Sequence, residues 1–141
     1  MEELTILSKN QLGSKATILL NSVKSYFNSN TNINRMIPII TGKSKISLRV
    51  LDWLVTNYAK KNNIIYELNN SKIKHFNMYL EYKSQLKAYS KKYFDPFCRK
   101  DRISYCIDKK EAKFIITTIA QLNFFKWALK YNVLTYLENN F

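Results

Sequence analysis

Beyond Gly42 the sequence contains one residue whose covalent geometry breaks regular structure, Pro96; both glycines and the other proline, Pro38, come earlier. The last 99 residues must therefore be punctuated by asparagine clusters and charge runs. A chain of 141 residues is the length of one domain with one core. Apolar residues at 46% and aromatics at 14% can fill that core and argue against disorder.

The hydrophobic spacing divides the chain further. Residues 28 to 34, Asn-Ser-Asn-Thr-Asn-Ile-Asn, are polar and unpatterned and read as a loop. They close an N-terminal segment, 1–34, in which Leu19, Val23 and Phe27 make a helical stripe after a cap at Ser14, and they leave a compact basic body over 35–141. Within the body, Ser47 caps a helix over 47–61 whose apolar residues are Leu48, Leu51, Leu54, Val55 and Tyr58, and Asn62-Asn63 stops it. Ile64 to Leu68 is β-branched and too short for a helix, and Asn69-Asn70-Ser71 supplies turn chemistry. From Ile73 a strand runs into a helix near Leu80, which Asp95-Pro96 ends, since proline lacks an amide hydrogen and disfavours helix in the residue before it. Arg102–Ile107 and Lys113–Ile116 read as a hairpin around a five-residue loop. Thr118 and Gln121 have capping-box spacing and open a helix to about Lys130, with a short helix from Val133 to Glu138 after it. The expectation is a single α+β domain, about three main helices (47–61, 81–93, 118–130) packed on a small antiparallel sheet.

Several chemistries lack their residues. The single histidine, His75, has no partner at metal-ligand spacing, and the few carboxylates form no cluster for Mg²⁺ or for acid/base work. Cys98 and Cys106, eight residues apart, match neither a redox pair nor a zinc knuckle, and nothing around Cys98 and His75 resembles a known nucleophilic pair. Residues 39–44, Ile-Ile-Thr-Gly-Lys-Ser, end like a phosphate-binding loop, but that pattern needs glycine at position 37, where Ile37 stands. The fragment reads as a turn before the next helix cap. The start, Met1-Glu2-Glu3, lacks the basic and apolar regions of a secretion signal, and no apolar run is long enough to span a bilayer. The expectation is a non-enzymatic protein with no cofactor, no metal and no membrane partner.

What the chain does have is positive charge. Against 23 Lys+Arg stand 10 Asp+Glu, a net +13 and a pI near 9.7, which points to a polyanionic partner. The charge concentrates in residues 83–102, where Lys83, Lys87, Lys91, Lys92, Arg99, Lys100 and Arg102 face only Asp95 and Asp101. On a helix, Lys83, Lys87 and Lys91 form one ridge, while Tyr79, Tyr82, Leu86 and Tyr89 lie on another side and suit burial rather than base stacking. Phe94 and Phe97, both expected in the core, would anchor the Asp95-Pro96 turn so that Arg99, Lys100 and Arg102 project beside the ridge. Such placed cations suit the phosphates of double-stranded DNA. In the C-terminal helix, Phe124, Phe125 and Trp127 spread over more than one face, which fits either a central core helix or a homodimer contact.

Three segments carry a resemblance: residues 47–58 (SLRVLDWLVTNY), 82–99 (YKSQLKAYSKKYFDPFCR) and 121–128 (QLNFFKWA). They resemble a functionally uncharacterised family of small basic proteins of nucleocytoplasmic large DNA viruses. The resemblance implies a viral setting, with the host cytoplasm (a viral factory) or the virion as location and no secretion. Charge and resemblance together lead to a weakly selective DNA-binding protein that organises the viral genome or serves late gene expression. The alternative is a structural adaptor whose basic surface docks on an acidic viral or host protein of the capsid or transcription machinery.

Overall fold

Three helices begin where a short polar side chain meets an uncommitted backbone amide. Ser47 Oγ accepts from the Val50 amide at 3.1 Å, Asn77 Oδ1 from Leu80 at 3.2 Å, and Thr118 Oγ1 from Gln121 at 3.1 Å. The computed structural model describes residues 12–69, 72 and 74–141. Among these, six helices and four strands follow one another as α1 (Ser14–Tyr26), α2 (Asn30–Ile40), α3 (residues 48–62), β1 (Ile65–Glu67), β2 (His75–Asn77), α4 (Met78–Phe94), β3 (Arg102–Asp108), β4 (Lys113–Thr118), α5 (Ile119–Lys130) and α6 (Val133–Asn140). The fold is α+β and a single domain, as the sequence pattern implies.

Local chemistry explains several boundaries. Asn63, at φ 48°, takes the left-handed conformation that ends α3. Inside α3 the stretch Leu54–Tyr58 widens into a π turn, and Leu51, Leu54, Val55 and Ala59 are all fully buried on its inner side. Strand β2 passes directly into α4 at Met78, close to the expected transition. The centre of the expected 69–71 turn and the start of the strand expected from Ile73 lie outside the described residues. The phosphate-loop look-alike is the end of α2: the Pro38 carbonyl accepts from the amides of Lys43 and Ser44 at 2.8 and 2.9 Å, and Gly42 bends the chain at φ 75°.

At the centre lies α5. Nine of its twelve residues are buried, including Leu122, Phe124, Phe125 and Trp127, and it packs against α4, α1 and α6. Phe94 from α4 sits edge-on to Phe124 and Trp127, each at 5.6 Å between ring centres, and Phe76 from β2 stacks on Tyr131 at 5.5 Å. The Tyr66 hydroxyl donates to the Tyr131 carbonyl at 2.6 Å and ties β1 to the end of α5.

Three expectations need correction, and one pair of alternatives is narrowed. The tract 28–34 is no loop: α2 starts at Asn30 and runs through it, burying Ile33, Met36 and Ile39 in the core that α1 joins through Leu19, Leu20, Val23 and Phe27. Asn30 and Asn34 are exposed and Asn32 is half-buried. There are six helices rather than about three, and no single sheet. β1 pairs only with β2 and β3 only with β4 among the described residues, as two antiparallel ribbons. Ser14 is the first residue of α1, with Gly13 as its cap. Finally, Phe124, Phe125 and Trp127 are 0%, 0% and 3% exposed. They belong to the protein's own core, the first of the two readings of this helix.

Candidate nucleic-acid interface

The lysine helix shows its cations by burying one narrow face. Along α4, Tyr82 is buried and Tyr79, Leu86 and Tyr89 are half-buried, while Lys83 and Lys87 stand exposed. The row then stops. Ser90 adopts φ 65°, ψ 169°, a conformation almost confined to glycine, and breaks the helix. Lys91 therefore does not continue the Lys83/Lys87 ridge. Lys91 and Lys92 belong to a separate turn that drives Tyr93 and Phe94 into the core and leaves the two lysines outside. The Lys92 ammonium lies 5.2 Å from the centre of the Tyr93 ring, and the Lys15 ammonium of α1 lies 5.4 Å from the same ring. Lys15 thus joins this surface through the fold alone.

The Asp95-Pro96 turn follows, and polar bonds hold it. The Asp95 amide donates to the Lys91 carbonyl, the Phe97 amide to Asp95 Oδ1 at 2.9 Å, and the Cys98 amide to the Asp95 carbonyl at 3.0 Å. Two amide side chains of α5 clamp it from behind. Gln121 Nε2 donates to the Pro96 carbonyl at 3.3 Å, and Asn123 Nδ2, buried, donates to the Tyr93 carbonyl at 2.9 Å. Gln121 therefore does not complete the expected capping box; its Oε1 instead accepts from Thr117 Oγ1 at 2.6 Å. Phe94 is fully buried as expected, but Phe97 is 49% exposed and is not the core anchor expected.

Past the turn, Arg99 and Lys100 are exposed. Arg102 departs from expectation. It opens β3 opposite Thr118, is half-buried, and its Nε is buried without a hydrogen-bond partner. Among the described residues two ion pairs occur, Arg35–Glu138 at 2.6 Å and Lys113–Glu111 at 2.9 Å, and neither involves the seven cations of residues 83–102.

Beneath this surface lies an acidic spot that the sequence does not reveal. Burial, and then the Asp95 carboxylate, raise the Asp52 pKa above its ordinary value. Burial followed by the same two carboxylates pushes the Tyr82 phenol to about 12. Asp52 and Asp95 are 43 residues apart in sequence, and only the packing of α3 under α4 brings their fields together.

A family model described as a family of unknown function, DUF7197, matches residues 4–141. The chain belongs to that family. An uncharacterized protein of Acanthamoeba polyphaga mimivirus is 45% identical over 125 residues, which is 85% of this chain and 48% of the mimivirus protein. The chain thus spans about half the length of that relative. No solved structure matches it. The relative agrees with the viral family that the three segments resemble, and the matched range of the DUF7197 family takes in α1 and α2 as well as the basic helix and turn. No helix among the described residues is long and apolar enough to cross a membrane.

Proposed function

We propose that this DUF7197 protein is a non-enzymatic, weakly sequence-selective DNA-binding protein of a large DNA virus, acting in genome organisation or late gene expression. One observation carries the reading. Lys83, Lys87, Lys91, Lys92, Arg99 and Lys100 are all exposed on a helix and turn fixed from behind, and among the described residues no carboxylate pairs with any of them. Neutralising carboxylates would be expected if the face were only a soluble surface. Instead the cations are left for an outside anion, and a backbone of regularly spaced phosphates is the polyanion that placed point charges suit. Arg102 differs from these six in being half-buried, with its Nε buried and without a hydrogen-bond partner.

Fluorescence anisotropy with a labelled duplex across a salt series tests this. Binding should fall steeply with salt, and each of Lys83→Gln, Lys87→Gln and Arg99→Gln should flatten the log K against log[salt] slope by about 0.9. The melting temperature should stay near wild type. No duplex binding at low salt would overturn the reading.

A second reading, an adaptor that docks on an acidic protein, is favoured by a different surface. Trp53 and Phe141, both exposed, form a cluster with Tyr58, with ring centres 5.0 to 5.9 Å apart, and exposed aromatics of this kind are enriched at protein interfaces. Partners that survive nuclease treatment in a pull-down support the adaptor; partners lost with nucleic acid support the DNA binder.

A further inference from the structure

Between α1, α2 and strand β3 runs a cleft of about 890 Å³ that neither the helix nor the turn of the proposed duplex surface lines. Its lining follows β3 from Ile103 to Asp108 and takes in Lys113 and Phe114 of β4. Its charged residues are Lys24 of α1, Lys109 and Lys110 of the hairpin loop, Lys113 of β4, and one carboxylate, Asp108. That carboxylate is already engaged, since Asp108 Oδ1 accepts from the amides of Lys110 and Glu111 at 3.0 and 3.3 Å. Lys113 is bridged to Glu111 across solvent, both side chains being 63% exposed, so the pair holds it only weakly.

Two further features distinguish this cleft from a solvated lysine cluster. Phe114, opposite Cys106 in the ribbon, is 57% exposed at the cleft, an aromatic face left bare among lysines. On the other wall α2 presents Asn30 and Asn34, one helical turn apart, whose amides carry both donors and acceptors. Cations that track a backbone, an unstacked aromatic ring and amides able to meet base edges are the three elements of single-strand recognition. A duplex keeps its bases stacked and could use only the first.

We propose that this cleft binds single-stranded nucleic acid, with Lys24, Lys109, Lys110 and Lys113 on the phosphates, Phe114 stacked on a base, and Asn30 and Asn34 at base edges. The site goes beyond the duplex surface and does not depend on it. Phe114, Lys109 and Lys110 are exposed and can be altered without touching the core, to which Ile33 on the α2 wall belongs.

Fluorescence anisotropy of the whole protein with a short labelled oligothymidylate, alongside a labelled duplex, tests the proposal. Phe114→Ala should weaken single-strand binding roughly tenfold or more, the scale of one lost base–aromatic stack, and Phe114→Trp should restore it. The double variant Lys109→Gln, Lys110→Gln should weaken it further and flatten its salt dependence. Duplex binding should hold in all three, whereas Lys83→Gln with Lys87→Gln should reduce duplex binding and spare the single strand. Single-strand binding by Phe114→Ala equal to wild type overturns the proposal. So does displacement of the oligothymidylate by a polyglutamate peptide at equal charge, which would make the cleft a site for an acidic protein segment. Loss of the duplex signal alone would remove the duplex reading and leave this one standing.

Discussion

Helices α4 and α5 pack against each other and use their surfaces in opposite ways. α5 has nine buried residues in twelve and carries its polar groups as tools, with Thr118 capping its start and Gln121 and Asn123 clamping a neighbour. α4 has four buried residues in seventeen, breaks at Ser90, and exposes lysines that form no ion pair among the described residues. A helix that displays charge has only a narrow apolar face with which to hold itself down. The fold meets this by interrupting α4, so that its last turn can swing Tyr93 and Phe94 into α5, and by letting α5 grip the exit with amide side chains. The display is rigid because the helix behind it is central.

The sharpest way to break that dependence is to remove the side chain at the junction. Phe94 is fully buried against Tyr82, Phe124 and Trp127. Phe94→Ala should destabilise the protein by about 3–5 kcal/mol in urea unfolding. Phe97→Ala, three residues on but half-exposed, should cost less than about 1 kcal/mol. Equal losses would mean that the turn is held by both rings, against the polar clamp described here. The clamp itself comes next. Asn123→Ala leaves the buried Tyr93 carbonyl without its donor and should cost about 1–3 kcal/mol. It should also weaken duplex binding through Arg99 and Lys100, whose direction the turn sets.

The break in α4 offers an effect of opposite sign. Ser90 is exposed and sits at φ 65°, ψ 169°, so nothing but backbone strain is at stake there. Ser90→Gly relieves that strain and loosens the unfolded chain slightly, for a net gain of about 1 kcal/mol. A lower urea midpoint for the glycine variant would show that the kink is not strained. Ser90→Gly should leave the duplex salt slope unchanged, because the lysines keep their places.

How much of this was legible in the sequence follows from the range of the interactions. Ser47, Thr118, Asn63 and the β3–β4 hairpin rest on residues a few positions apart, and their patterns are visible in the chain. α2 was hidden because Asn30, Asn32 and Asn34 favour turns locally, and only burial of Ile33, Met36 and Ile39 against α1 and its neighbours overrides that preference. The kink at Ser90 was hidden because no glycine marks it. In the candidate site, the period placed Lys83 and Lys87 but not Lys91, which lies past the break, and six exposed cations were readable from charge. The half-buried Arg102, the addition of Lys15, and the clamping of the turn by Gln121 and Asn123 were not, since each depends on partners far along the chain. The cleft was least legible of all, because one of its walls is the helix that the asparagines concealed.

The smallest expected effect concerns the acidic spot where α3 underlies the lysine helix. Asp52 has its pKa raised by burial and by the Asp95 carboxylate, so the folded protein holds that proton more tightly than the unfolded chain. Above the folded pKa the ionised carboxylate therefore costs stability, and the cost disappears as pH falls through that value. Asp52→Asn removes the charge and keeps the shape. Its melting temperature should lie slightly above wild type at neutral pH, and the gap should close on acidification. The gap should be small, since Asp52 is only half-buried and solvent screens it. A difference that stays constant with pH would assign the effect to packing, and the two carboxylates would no longer be coupled. A wild type more stable than the variant at neutral pH would mean instead that ionised Asp52 serves the lysine helix as a counter-charge, and the contrast between a self-sufficient α5 and an unneutralised α4 would have to be redrawn.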